Sequence, residues 1–140
     1  MILALVTFGV VQAIAQKIKE SEVPQVVKSA FRKAYPNAKG LKWDKEEAGF
    51  EASFDQNKND MSVVLDKMGI VKEVETEIAK DKLPKAILET LKKDFADHDI
   101  EETAMIVANG VTTYEVEVEK GKKSWDLIFD SAGKLLENTQ

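Results

Sequence analysis

The sequence predicts an α+β fold: two tandem helix-plus-four-strand repeats that form one antiparallel sheet of about eight strands, with both helices on one face. Three observations carry this. First, the chain repeats itself: adding 64 places Phe50, Ala52 and Phe54 on Tyr114, Val116 and Val118, and places Met61, Val63, Leu65, Asp66 and Gly69 on Trp125, Leu127, Phe129, Asp130 and Gly133. Second, both copies alternate apolar and polar residues, the period of a strand with one face buried and one wet. Third, each copy is preceded by a single amphipathic helical stripe, too little to cover two separate sheets, so the economical packing is one sheet with both helices on the same side.

The elements follow in order. Met1 to Ala15 carries no charge, is mostly apolar and ends Ala13-Ile14-Ala15, the small-x-small form of a signal-peptidase site, so it reads as a secretion signal. Lys17, Lys19 and Glu20 end this run short of the roughly 20 apolar residues that cross a bilayer. The remaining 16–140 reads as one domain made of repeats 21–78 and 81–138, located in the periplasm or secreted.

Ser21 stands as an expected N-cap, Pro24 follows in the first turn, and Val23, Val27, Phe31 and Tyr35 recur every fourth residue until Pro36. Asp81, Pro84, Leu83, Ile87, Leu91 and Phe95 repeat the pattern 60 residues on. A strand follows each helix, Lys39 to Lys45 with Leu41 and Trp43 on its core face, and Ile100 to Ala108. The hairpins of the repeat come next, turning at Gln56 to Asn59 and at Glu119 to Lys122, and Ile70 to Ile78 and Lys134 to Glu137 close the units. Asp66 and Asp130 each stand three residues before a glycine, the spacing of a turn that Asp opens and Gly closes at positive φ.

This order, duplicated, resembles the PepSY-like, beta-lactamase-inhibitor-like family. It is carried by the cap-x-x-Pro helices, the strand with Lys42-Trp43, Tyr114-Glu115-Val116 with its counterpart Phe50-Glu51-Ala52, and the closure Phe129-Asp130-Ser131-Ala132-Gly133. The resemblance covers residues 21–138. It implies an exported, non-enzymatic envelope protein whose fold is similar to that of the beta-lactamase inhibitor proteins, and no inhibitory loop motif can be carried over.

Composition and motifs exclude several functions. The chain holds 20 Lys and Arg against 25 Asp and Glu, a formal charge of −5, which leaves no basic footprint for nucleic acid. Having no cysteine, it has no disulfide, thiolate metal site or thiol nucleophile. The single histidine, His98, lies in Asp97-His98-Asp99 past the second helix, where a partly charged imidazole suits the helix dipole and solvent, so the motif calls for no catalysis. Asp55 to Asp60 imitates a calcium loop, but Asp60 occupies the position that needs glycine and the flanks alternate as strands, so a hairpin turn is expected. The sequence calls for no cofactor, no metal and no catalytic residue.

What remains is the sheet face opposite the helices. Glu115, Glu117 and Glu119 project from one side of a strand with Asp126 on its neighbour, while Val64 and its repeat counterpart Ile128 break the alternation by falling on the wet side. A solvated face accounts for the acids and an isolated aliphatic for the valine and isoleucine. The functional expectation is an apolar patch ringed by acids that docks an envelope protein or an extended peptide, with Val64, Ile128, Glu115, Glu117 and Asp126 as its candidates. The alternative is a small-ligand or cation-binding envelope protein that uses the acidic stripe.

Overall fold

The computed structural model describes residues 16–140; the expected leader Met1 to Ala15 lies outside them. The strands are β1 (Gln16–Ile18), β2 (Lys39–Lys45), β3 (Gly49–Gln56), β4 (Asn59–Asp66), β5 (Val71–Glu77), β6 (Asp99–Ala108), β7 (Val111–Lys120), β8 (Lys123–Asp130) and β9 (Leu135–Thr139). Helix α1 (Gln25–Ala34) lies between β1 and β2, and α2 (Lys85–Asp94) between β5 and β6. The nine strands form one sheet in sequence order, antiparallel throughout. Among the described residues no helix is long and apolar enough to cross a membrane.

The ninth strand has a simple origin. Ile18 lies opposite Trp43, and Ile78, 60 residues further on, donates its backbone N–H to the carbonyl of Thr103 at 2.9 Å, the position equivalent to Trp43. The strand that closes the first unit therefore opens the second. The molecule is two five-stranded units that share β5, and β1 is the first unit's own opening strand, which the repeat boundaries 21–78 and 81–138 leave out.

Each helix begins later than its expected cap. Ser21 and Asp81 lie inside single 3-10 turns, Glu20–Glu22 and Lys80–Lys82, and the α-helices start after Pro24 and Pro84. The proline ring forces the residue before it out of the helical region. Val23 (ψ 130°) and Leu83 (ψ 145°) are accordingly extended, which separates the short turn from the helix. At the other end the backbone N–H of Tyr35 closes on Phe31 at 2.8 Å and that of Phe95 on Leu91 at 2.9 Å.

The helices cover one half of the sheet each. Val23, Val27 and Phe31 pack on Trp43, Phe50, Ala52, Phe54, Val63 and Leu65. Leu83, Ile87 and Leu91 pack on Val116, Val118, Leu127 and Phe129. Trp43 is in the core, as expected from Leu41 beside it, and is 4% exposed. Each such side chain contributes roughly 1.5–3 kcal/mol by leaving water.

The turns behave as read. Asp66 Oδ1 accepts the N–H groups of Met68 and Ile70, both at 2.9 Å, and Asp130 Oδ1 accepts those of Ala132 and Lys134 at 3.0 and 2.9 Å. Gly133 has φ +84°, and a Cβ there would stand 2.6 Å from the Ala86 carbonyl oxygen, so the turn both needs positive φ and lies against α2. Asn57 and Lys58, with φ of 55° and 67°, make the two-residue turn between β3 and β4, where the calcium-loop imitation fell.

Candidate functional site: the open sheet face

Residues directly opposite on paired strands project to the same face, so the register writes out the side that the helices leave uncovered. One row runs Glu51, Val64, Glu73, Ala108 across β3 to β6. The next runs Ser53, Ser62, Glu75, Ile106, Thr113. A third runs Glu77, Ala104, Glu115, Ile128, Glu137, and a fourth Glu102, Glu117, Asp126, Thr139. The middle of the face is corrugated: β3, β5, β7 and β9 present Glu51, Glu73 to Glu77, Glu115 and Glu137, while β4, β6 and β8 present Val64, then Ala104, Ile106 and Ala108, then Ile128; in the fourth row Glu102 of β6 and Asp126 of β8 add acids.

All five sequence-predicted residues, Val64, Ile128, Glu115, Glu117 and Asp126, lie on this face. Glu115 is opposite Ile128 and Glu117 opposite Asp126. Val64 is not with them, because β5, β6 and β7 separate β4 from β8, about 19 Å at ordinary strand spacing. The two aliphatics therefore do not form one patch. Each is instead the middle of a duplicated triplet, Glu51-Val64-Glu73 and Glu115-Ile128-Glu137, every member related by 64 residues.

The middle of the face, on β5 and β6, is enclosed even though neither α1 nor α2 lies over it. Ile106 is 5% exposed, Ala104 3% and Glu73 8%. Sequence reasoning missed Glu73, Glu75 and Ile106. Glu73-x-Glu75-x-Glu77 does repeat the spacing of Glu115-x-Glu117-x-Glu119, a signal that could have found the first two. Ile106 carries no such signal, since Ala104 to Ala108 is apolar on both faces and has no alternation to assign.

Burial sets the electrostatics. Glu73 is pushed up to about 7 by desolvation first and then by Glu75 and Glu51. Glu115 is pushed up to about 7 by desolvation and then by Glu75, Asp126, Glu102 and Glu73. Burial likewise raises Glu75, with Glu51, Glu102 and Asp126 adding to it. None of the ion pairs among the described residues involves these glutamates. The lysines that share the face, Lys17 and Lys42, stand on β1 and β2 at its edge.

Among the described residues no group of three or more carboxylates or imidazoles converges to hold a metal ion. The glutamates are spread along strands and do not surround a point. His98 is not solvated as its charged neighbours suggested. Its ring is held edge-on by Phe95 at 5.4 Å and Trp125 at 5.2 Å, and its side chain is 15% exposed. Nδ1 stands 2.8 Å from Asp97 Oδ1 without the alignment of a hydrogen bond, so the imidazole serves packing, with the helix-end aromatic ring as its partner.

A helix-backed antiparallel sheet, built twice and open on its other face, defines a beta-lactamase-inhibitor-like fold. The family model for putative beta-lactamase-inhibitor-like, PepSY-like proteins matches residues 10–73 and again 63–137, and the chain belongs to that family. The two matches overlap over 63–73, the end of β4 and the start of β5. Among solved structures, a BLIP-like protein from Bacteroides fragilis NCTC 9343 is 26% identical, with a TM-score of 0.69 over 83% of this chain and 84% of that one. A "putative periplasmic" protein from Bacteroides eggerthii DSM 20697 is 21% identical, with a TM-score of 0.79 over 84% and 88%. A DUF2874 family protein from Bacteroides uniformis ATCC 8492 is 21% identical, with a TM-score of 0.75 over 82% and 87%. At these identities the last two likenesses concern the fold. No curated protein matches the sequence.

Proposed function

We propose that this protein is an exported, non-catalytic binding module that receives a protein partner on the open sheet face and acts as an interaction or inhibitor domain in the bacterial envelope. The observation that carries the reading is the duplicated Glu-aliphatic-Glu triplet on a face that neither α1 nor α2 covers, with one buried carboxylate, Glu73, that has no cationic partner among the described residues. A side chain layout kept in both repeats on the solvent side is not required by the core, which lies on the other face. The family membership and the BLIP-like relative favour a protein as the partner over a small molecule. The apolar leader Met1 to Ala15 and the periplasmic description of the Bacteroides eggerthii relative favour export.

The test is retention of envelope proteins on the purified protein beside a Val64→Asp, Ile128→Asp double variant shown by melting to be folded. The reading expects a protein held by the native form and released by the variant, and expects the same difference when that protein is purified and its affinity measured. Equal retention by both forms counts against the open face as the docking surface.

A further inference from the structure

We infer that the open face takes up a lysine- or arginine-bearing segment of its partner protein, with a cationic side chain seated against Glu73 between Val64 of β4 and Ala108 of β6. This rests on the protein-binding reading above and adds the chemistry of what is bound.

Glu73 is more than nine-tenths buried on the central strand of the sheet and projects to the side where no helix lies. The groups facing it are Glu51 from β3, Glu75 from its own strand and Glu115 from β7. Its direct neighbours on β4 and β6, Val64 and Ala108, bring no charge. Further along the same row Asp44 of β2 follows, and then Lys17 of β1 at the sheet edge. An ionised carboxylate so placed pays desolvation and repulsion together, with no compensating pair among the described residues. Only a proton or an external cation relieves both. A bare metal ion does not fit, because the neighbouring carboxylates do not converge on a point. A lysine or arginine does fit. Its charged end meets one carboxylate while its methylene stem lies on the aliphatic residues of the adjacent strands. The second triplet, Glu115-Ile128-Glu137, offers the same combination again and suits a segment with more than one basic residue.

Proton and cation then compete for the same oxygen atoms. Glu73 and Glu115 hold a proton up to about 7, so uptake of a basic segment releases protons and weakens as the solution is acidified through neutrality. Ordinary glutamates stay ionised over that range, so the loss reports the buried groups.

The probe is an acetylated, amidated oligoarginine peptide titrated calorimetrically into the purified protein at about pH 8.5 and about pH 5.5, where freely solvated carboxylates are ionised at both ends. The native protein is expected to bind at least about tenfold more tightly at the higher pH and to release protons into the buffer on binding at the lower pH, where the carboxyls start protonated. Glu73→Gln, confirmed folded by melting, is expected to weaken binding at high pH and to flatten the pH dependence. Glu89→Gln, an exposed acid on α2 beside Lys85, is expected to change neither. A pH-independent affinity, or a Glu73→Gln variant that behaves like Glu89→Gln, overturns the inference. If a partner protein is lost by the Val64→Asp, Ile128→Asp variant yet is indifferent to pH and to Glu73→Gln, the inference fails and the protein-binding reading stands. If oligoarginine behaves as expected while no partner distinguishes the double variant, the cation-accepting face stands and the protein-binding reading fails.

Discussion

The two repeats share a backbone plan but fill it with different side chains, and a change on one strand is offset, wholly or in part, by a change on its neighbour. In the first unit Phe31 meets Tyr35, Trp43 and Phe54, with ring centroids 5.4, 5.4 and 4.9 Å away. In the second the equivalent core is Leu91, Val116, Val118 and Leu127 around Phe129. Trp43 is opposite Ala52, and its counterpart Thr103 is opposite Val116. Phe54 is opposite Met61, and Val118 is opposite Trp125. The Phe54–Met61 and Val118–Trp125 pairs are nearly equal in volume, while Val116 in place of Ala52 offsets only part of the change from Trp43 to Thr103. One row of the open face behaves differently. There Glu51, Val64 and Glu73 are matched type for type by Glu115, Ile128 and Glu137. The neighbouring open-face row is not kept, since Ser53, Ser62 and Glu75 are replaced by Glu117, Asp126 and Thr139, so the likeness is confined to the triplet.

The largest expected effect breaks a compensating pair. Trp43→Thr should cost about 3–5 kcal/mol by emptying the space beside Ala52. Adding Ala52→Val, which imports the second unit's pair, should recover about 1 kcal/mol or more, a coupling that a double-mutant cycle in denaturant unfolding measures. Strict additivity would mean that the units are packed position by position. A smaller effect separates the two docked turns. Thr90 donates its hydroxyl to the Gly133 carbonyl at 2.8 Å, whereas Ala30 stands at the equivalent place beside Gly69. Gly133→Ala should therefore cost about 1–3 kcal/mol and more than Gly69→Ala, because its Cβ would meet the Ala86 carbonyl oxygen at 2.6 Å against 3.0 Å for the nearest atoms at Gly69. Thermal melts of the two variants side by side decide it.

The smallest effect concerns pH. Glu73 and Glu115 keep a proton to about 7 in the folded chain and have an ordinary value of 4.5. Between those values the folded state binds more protons, so stability falls as pH rises. The destabilising contribution is absent below about 4.5 and complete above about 7. Glu73→Gln should remove part of that slope and raise the melting temperature at about pH 8. Asp66 and Asp97 act in the opposite sense. Backbone N–H groups of the turn hold Asp66 low and Lys120 holds Asp97 low, so their support is present above the ordinary carboxylate value and is lost only in more acid solution. A melting temperature that does not vary between about pH 5 and 8 would contradict the burial of Glu73.

Much of the fold was legible because the chain states it twice. Helix stripes such as Val27-Phe31 and Ile87-Leu91, the Asp-to-Gly turns and the alternating hairpins each have a local cause that sequence displays. β1 was not legible, since three residues, Gln16 to Ile18, owe their extended pairing to β2, more than twenty residues away. The helix starts were misplaced because Ser21 and Asp81 are good caps by type, but Pro24 and Pro84 impose a break behind them. On the open face, Val64, Ile128, Glu115, Glu117 and Asp126 were visible as exceptions or stripes within single strands. Their arrangement was not. Whether Val64 neighbours Ile128, and whether Glu73 is buried, depends on strand order and sheet curl, which are set by contacts between distant segments.

The most direct measurement is photo-cross-linking of the partner from single positions on the two faces. A photoreactive residue would replace Val64 or Ile128 on the open face, and Lys28 or Lys92 on the helices, in otherwise identical folded proteins. Cross-linked product from positions 64 and 128, and none from 28 and 92, is the predicted result. Product from the helix positions with none from the sheet would contradict the assignment of the open face as the binding surface.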